Sequence, residues 1–306
     1  MEAPKHSKMV LDLRQSPKWE KYMNFLGWEG KRIKNGGVLF FYKTPIGSLV
    51  KTQRLPFLSK KDLKEVDKVC KKHKALFIKI ESSIAQDINV LEKSGYILSN
   101  FTLAPPSSLV IDLTKNEEAL WKDLSRSGKY SVRRAQREDS KVKFEKNPSD
   151  KHLNNYFKKV QLLTGKRNKF HTQSLKDLTK KRDVFGLGSF LSLVFDKQDS
   201  LSGGKFYVSY KDTVTYLNGG TTEVGRKNKA GFAQMWESIL YFKNLGFKKL
   251  DLEGVYDDRF PKYTKRWVGF SRFKEKFGGK IVRYPLPRIK YYSKVFRFAH
   301  NFGPGL

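Results

Sequence analysis

In the stretch FSRFKEKFGGKI, Lys274 directly follows Phe273, and the pair Gly278-Gly279 comes shortly after. If the segment is a strand, Phe273 and Lys274 point to opposite faces, and the glycine pair lets the backbone turn or approach another group closely. Taken as composition, Lys274 is one exposed cation among 62 Lys and Arg, and the phenylalanines are core. A second candidate is the acidic island DLEGVYDD, with Asp251, Glu253, Asp257 and Asp258. Such carboxylates could hold an incoming amine or take its proton. The simpler reading is favoured: a strand end whose charges pair with nearby Lys and Arg. No Walker-type phosphate loop, nucleophile elbow, Cys–His pair or HExxH sequence occurs, so hydrolytic and covalent catalysis have no visible apparatus. The pairs Gly203-Gly204 and Gly219-Gly220, in SGGK and NGG, lack the spacing of a dinucleotide fingerprint and read as turns. A lone Cys70 excludes an internal disulfide framework. His6, His73, His152, His171 and His300 show no zinc-ligand spacing, so no metal is expected.

A repeated mixed unit must position these side chains. In the first half, strands GVLFFYK and GSLVKTQRLPF precede a helix from about Lys60 to His73 and a buried strand, ALFIKIE. Leu63, Val66, Val69 and Cys70 recur at helical spacing behind the start signal SKKD. The second half repeats the order. Strands SFLSLVFD, KFYVSYKD and TVTYLNGG lead to a helix with Phe232, Met235, Trp236, Ile239 and Leu240 on one face, closed by Gly246, and then to strand KKLDLEG. The proline pair in LAPPSSLVIDL places a boundary near Ala104. Arg126, Lys129, Arg133 and Arg137 step by three, four and four, which puts four cations on one face of a helix, although Gly128 weakens that helix. A solvated helix face is the simpler reading of such a stripe; Arg134, Lys141, Lys143 and Lys146 extend the positive surface beyond it, as phosphate docking would require.

With 306 residues, 39% of them apolar, the chain can bury two medium cores. Subtracting 30 acidic from 62 basic residues leaves a net charge of +32, spread over the whole length. Phosphate-rich partners or an anionic inner membrane face suit such a surface, although a source that makes Lys-rich proteins would produce it equally. The N-terminal stretch has no apolar run of signal-peptide length, and GVLFFY and FLSLVF are strand-sized, so a cytoplasmic protein is expected.

Several pieces, in order, resemble one family. LRQSPKWEKYMNFLGW, SSLVIDLTKNEEALWKDLSRSGKYSVRRAQRE, LLTGKRNKF, TYLNGGTT, MWESILYFKNLGFKKLDLEGVY and FKEKFGGKIVRYPLPRIKYY together look like the FemABX peptidoglycan bridge-forming aminoacyltransferases, of the compact type without a long helical arm. The resemblance implies a mixed α/β fold of two tandem GNAT-like domains, with the segment from about Pro287 returning to the first, which gives domains 1–104 plus 287–306 and 105–286. It implies transfer of an amino acid from aminoacyl-tRNA to an amine of a UDP-linked or lipid-linked precursor stem peptide, with no cofactor besides that co-substrate. Lys274 then stabilises the oxyanion. Phe273 and the Arg126, Lys129, Arg133, Arg137 stripe contact the donor tRNA, while Arg167, Tyr216 and Tyr256 contact the acceptor. Several Lys between Lys18 and Lys34 compete for the precursor contact of the first domain.

EVGRKNKAG departs from the Gln/Arg-x-x-Gly-x-Gly/Ala loop that holds coenzyme A, which counts against an acetyl-CoA donor. A monomer is expected, and the basic, aromatic tail RIKYYSKVFRFAHNF leaves peripheral contact with an anionic membrane open. Two alternatives stay open: an acyltransferase of the same superfold with another donor and amine, and a non-catalytic RNA-binding protein.

Overall fold

The computed structural model describes residues 12–169 and 172–302. His6 and His171, considered above as ligands, and most of the N-terminal stretch considered as a leader lie outside the described residues. The chain divides into two compact units, one of residues up to Pro106 together with those from Arg283, the other Ser107–Val282.

The first unit begins with α1 (Pro17–Phe25), whose first turn holds Pro17 and is capped by Ser16 accepting from the Trp19 amide. Strands β1 (Glu29–Arg32), β2 (Val38–Thr44) and β3 (Gly47–Leu55) form an antiparallel meander, and α2 (Lys60–Lys72) crosses to β4 (Ala75–Ser82), parallel to β3. A reciprocal Ser59–Asp62 capping box starts α2, and Leu63, Val66 and Cys70 bury its apolar face. Short α3 (Ile88–Lys93) and β5 (Ile97–Leu98) follow.

The second unit opens with β6 (Ser107–Asp112), α4 (Glu117–Asp123), α5 (Arg126–Arg137) and β7 (Lys141–Lys146). Next, α6 (Asp150–Tyr156) runs through a π turn at Phe157–Gln161 into α7 (Leu162–Asn168), and α8 (Leu175–Phe185) leads to the antiparallel strands β8 (Ser189–Phe195), β9 (Leu201–Tyr210) and β10 (Thr213–Thr221). Then come α9 (Glu223–Lys227), α10 (Ala230–Asn244), β11 (Lys249–Gly254), α11 (Pro261–Thr264), α12 (Val268–Glu275) and β12 (Lys280–Arg283). The chain closes with β13 (Arg288–Tyr291) and α13 (Lys294–Phe302).

The sheets have the orders β1-β2-β3-β4-β13-β5 and β12-β6-β11-β10-β9-β8-β7. In each, an antiparallel run passes through a helix to a parallel strand, β3 to β4 over α2 and β10 to β11 over α10. These are the two mixed α/β sheets anticipated above. Phe41, Val50, Val66 and Ile78 lie at the centre of the first core; Phe190, Met235, Phe242 and Leu250 lie at the centre of the second. The late strand β13 sits between β4 and β5, antiparallel to both, with Ile289 buried and Lys290 paired with Asp67 at 2.6 Å. Among the described residues no helix is long and apolar enough to cross a membrane.

Two local expectations are overturned. FSRFKEKF lies in and just after α12 and is not a strand. Its Phe270, Phe273 and Phe277 recur at steps of three and four, which suits a helix packed on aromatic neighbours. SGGK and NGG are not turns but interior stretches of β9 and β10. A side chain at Gly204 would run into the Tyr156 ring and one at Gly220 into Thr164, while a Cβ at Gly203 would stand 2.9 Å from the Gly220 carbonyl oxygen. Glycine here lets the helical segment around Tyr156 and Thr164 lie directly on the two strands. KVKFEK, read above only as positive surface, is edge strand β7, with Lys141, Lys143 and Lys146 exposed.

Candidate active site

The parallel strands β10 and β11 pair over Thr213–Thr215 and Lys249–Asp251, and both continue past that stretch. Beyond it β10 carries a bulge at Tyr216 to Asn218, and β11 shifts register between Asp251 and Gly254. Glu253 takes a left-handed conformation (φ 59°), its amide donating to the Asp251 carboxylate at 2.8 Å. The effect is to turn the carbonyls of Glu253 and Gly254 toward a third element, α12.

Helix α12 is anchored by one face. Phe273 stacks edge-on against Phe232 of α10 at 4.9 Å and against Phe277 at 5.2 Å. The Ser271 hydroxyl donates to the Trp267 carbonyl at 2.8 Å and accepts from the Tyr256 amide at 2.7 Å, which ties the loop after β11 to the helix. That loop is in turn clamped by Asp257. Its fully buried carboxylate accepts from Ser107 at 2.5 Å and from two guanidinium nitrogens of Arg259 at 2.9 and 2.7 Å. These bonds hold its carboxyl down to about 2 despite burial. The acidic island is thus structural at Asp257, as the simpler reading held.

With the helix so fixed, Lys274 points inward and is 6% exposed. Its Nζ donates to the Gly254 carbonyl at 2.8 Å and to that of Glu253 at 3.4 Å, and lies 4.9 Å from the Phe270 ring centre and 5.6 Å from that of Tyr216. Burial lowers its pKa to about 8, while the carboxylates of Glu253 and Asp251 pull it back up. Two of its three N–H donors are directed at carbonyls, which leaves a third for an oxygen that becomes negative nearby. Tyr216 is partly buried against Tyr207 at 5.4 Å, and burial raises its phenol well above the ordinary range.

The other sequence candidates spread outward from this point. Tyr256 is exposed but joined to α12 through its amide. The cation stripe does lie on one helix, α5, with Arg126, Arg133 and Arg137 exposed and Lys129 half-buried. Arg133 sits over the Trp121 ring at 5.4 Å, and Lys129 donates to the Lys122 carbonyl at 3.1 Å. The start of α5 is bound to the end of α12 by the Ser125 amide donating to the Lys276 carbonyl at 3.0 Å. Gly128 is needed there, since a Cβ would come within 2.5 Å of that same carbonyl oxygen. Arg167 lies at the far end of β10, where it donates to the Thr221 carbonyl at 3.2 Å.

Two residues went unnoticed in the sequence. Arg226 of α9 donates to the same Thr221 carbonyl at 3.3 Å, so two guanidinium groups converge on one oxygen. Burial first, and then the charge of Arg226, depress Arg167. The segment EVGRKNKAG had drawn notice only for lacking a coenzyme A loop. Lys205 of β9 is buried with neutral partners, donating to Gln234 Oε1 at 2.6 Å and to the Gly231 carbonyl at 3.2 Å. No spacing in KFYVSYK marks it as buried.

Burial lowers Lys205 to about 7, against an unfolded value of about 10.4. Between those values the unfolded chain binds more protons, so the stability of the wild type rises with pH across that window. A Lys205→Met variant lacks this dependence. Its melting temperature relative to wild type is therefore expected to be highest below pH 7 and to decline toward pH 10. An offset equal at pH 6 and pH 9.5 would contradict this.

No protein-family profile matches the chain, and no curated protein matches it. Solved structures do. FemX shares the fold with a TM-score of 0.76 at 15% identity over 94% of each chain. The C-terminal domain of a putative lysylphosphatidylglycerol synthetase from Agrobacterium fabrum aligns with a TM-score of 0.60 at 11% identity, over 90% of this chain and 87% of that one. L-PGS from Bacillus licheniformis gives 0.57 at 13% identity, over 91% and 89%. The fold of this chain is that of FemX.

Proposed function

We propose that the protein transfers an aminoacyl group from the ester of a charged tRNA to an amine of a peptidoglycan precursor stem peptide. The observation that carries the reading is the buried Lys274 ammonium, held by the carbonyls of Glu253 and Gly254 where β10 and β11 run past their paired stretch. The FemX-like fold and the charge of +32 support the substrate class, since tRNA and precursor pyrophosphate are both polyanions.

In this reaction the neutral acceptor amine attacks the ester carbonyl. A C–N bond forms, the C–O bond to the ribose breaks, and the amine proton ends on the ribose oxygen, so no further reactant is consumed. Lys274 faces the oxyanion of the tetrahedral intermediate. Arg126, Lys129, Arg133 and Arg137 with Phe273 contact the donor, and Tyr216, Tyr256 and Arg167 contact the acceptor. Arg226 joins Arg167 as a second phosphate contact. Each charge-assisted bond is worth about 1.5 kcal/mol or more, so Arg226→Ala is expected to raise the precursor KM about 10-fold with little change in kcat. An unchanged KM would remove Arg226 from the site.

The function is tested by incubating the purified protein with labelled aminoacyl-tRNA and UDP-linked precursor and looking for the labelled amide. Acyl-CoA in place of tRNA should give no product. The likeness to lysylphosphatidylglycerol synthetases favours one second acceptor, phosphatidylglycerol, offered as vesicles in a parallel arm in which a glycerol hydroxyl replaces the amine and the product sought is a labelled ester. Product from acyl-CoA but not from charged tRNA, or no product from any acyl donor, would overturn the proposal.

A further inference from the structure

Leading away from Lys274 along α12 and α11 is a line of rings. Phe270 lies 4.9 Å from the ammonium, Trp267 lies 5.9 Å from Phe270, and Tyr263 lies 5.2 Å from Trp267. Their spacing in sequence, four, three and four, keeps them on one side as the chain winds from α11 into α12. Exposure grows outward: Lys274 is buried, Phe270 and Trp267 are half-buried, and Tyr263 is 46% exposed. The rings therefore hold one another in place, and their exposure rises toward Tyr263. Lys262, Lys265 and Arg266 of the same segment are exposed. A purely structural aromatic cluster would be expected to close toward the core.

Partly exposed rings beside cations match the chemistry by which proteins hold unpaired nucleotides, with bases stacked on the rings and phosphates on the cations. We infer that Tyr263 and Trp267 form a stacking platform for the unpaired 3′ end of the donor RNA, which leads its terminal ester to Lys274. This rests on the transfer reaction proposed above. A double-stranded RNA would gain nothing from the rings, since its bases are already stacked on each other.

The test uses the full chain and a dye-labelled single-stranded RNA, ACCA, read by fluorescence anisotropy, with a duplex of matched sequence as the comparison. Stacking on an aromatic side chain accounts for roughly 10-fold in affinity per base. Trp267→Leu, which keeps apolar bulk but removes the stacking face, is expected to weaken ACCA binding about 10-fold, and Trp267→Phe to restore most of it. Tyr263→Ala, at an exposed ring, should weaken binding about fivefold and carries the test if Trp267→Leu does not fold. With charged tRNA both variants should raise the donor KM and leave the precursor KM unchanged. Binding of ACCA unaffected in Tyr263→Ala, or a preference for the duplex, would overturn the platform. If either result came with wild-type transfer intact, the platform alone would fail; absence of transfer from any charged tRNA would sink the parent reading as well.

Discussion

Lys274→Met lowers kcat about 100- to 1,000-fold, the ~3–4 kcal/mol associated with one fixed donor at a developing oxyanion. Methionine keeps the length of the side chain and removes the charge, so the packing against Phe270 and Tyr216 largely survives. Because the oxyanion exists only in the transition state, the KM values for both substrates should change little. The pH profile gives a second, independent readout. In wild type the rate climbs as the acceptor amine loses its proton, then levels off above about pH 8, where Lys274 begins to lose its charge. The methionine variant has no such group, so its low rate should keep climbing toward about pH 10, the ordinary range of an amine. Kinetics from pH 6 to pH 10 settle both points. A variant with wild-type kcat, or with the wild-type plateau, would remove Lys274 from the chemistry.

Asp257→Ala should be the most destabilising single change in the second unit outside its apolar core. It leaves the Arg259 guanidinium and the Ser107 hydroxyl without the carboxylate that joins them. Breaking a buried pair costs roughly 3–5 kcal/mol, and Arg259 is partly exposed, so about 3 kcal/mol is expected. For a unit of this size that lowers the melting temperature by roughly 6–12 °C. The sign with pH follows from the depressed carboxyl. Asp257 contributes its stability above the unfolded value of about 3.9, and that contribution disappears as pH falls through about 2. The gap between wild type and variant in urea unfolding should therefore be full at pH 7 and reduced by about 1 kcal/mol at pH 3. Equal gaps at the two values would mean that the ion pair is not what Asp257 supplies. Since the loop it clamps also holds α12, the variant should lose activity at temperatures where it is still folded.

Elements whose packing partner is a whole sheet could be read from the sequence. In α2 and α10 the buried faces repeat at three and four residues, with Ser59 and Gly246 marking a start and an end. The misread stretches are those where one neighbour decides. Gly203, Gly204 and Gly220 look like turn residues until Tyr156 and Thr164 are known to lie on them. For α12 the signal was present in Phe270, Phe273 and Phe277, and was masked by the short spacing to Gly278 and Gly279. At the site, Lys274 was singled out by resemblance, because nothing in its immediate neighbours distinguishes it from other lysines. Its burial depends on the bulged end of β11, and the meeting of Arg226 with Arg167 depends on the path of α9. Neither is encoded in local spacing.

The placement of β13 bears on how the protein comes to be made. Everything from β6 to β12 leaves the ribosome before the strand that must slot between β4 and β5 exists. Until then β4 has an open edge of unpaired backbone, a template for any extended segment nearby. The half of the protein that emerges first is thus the half that is completed last, and nascent chains stalled within the second unit should be the ones that aggregate or require a chaperone.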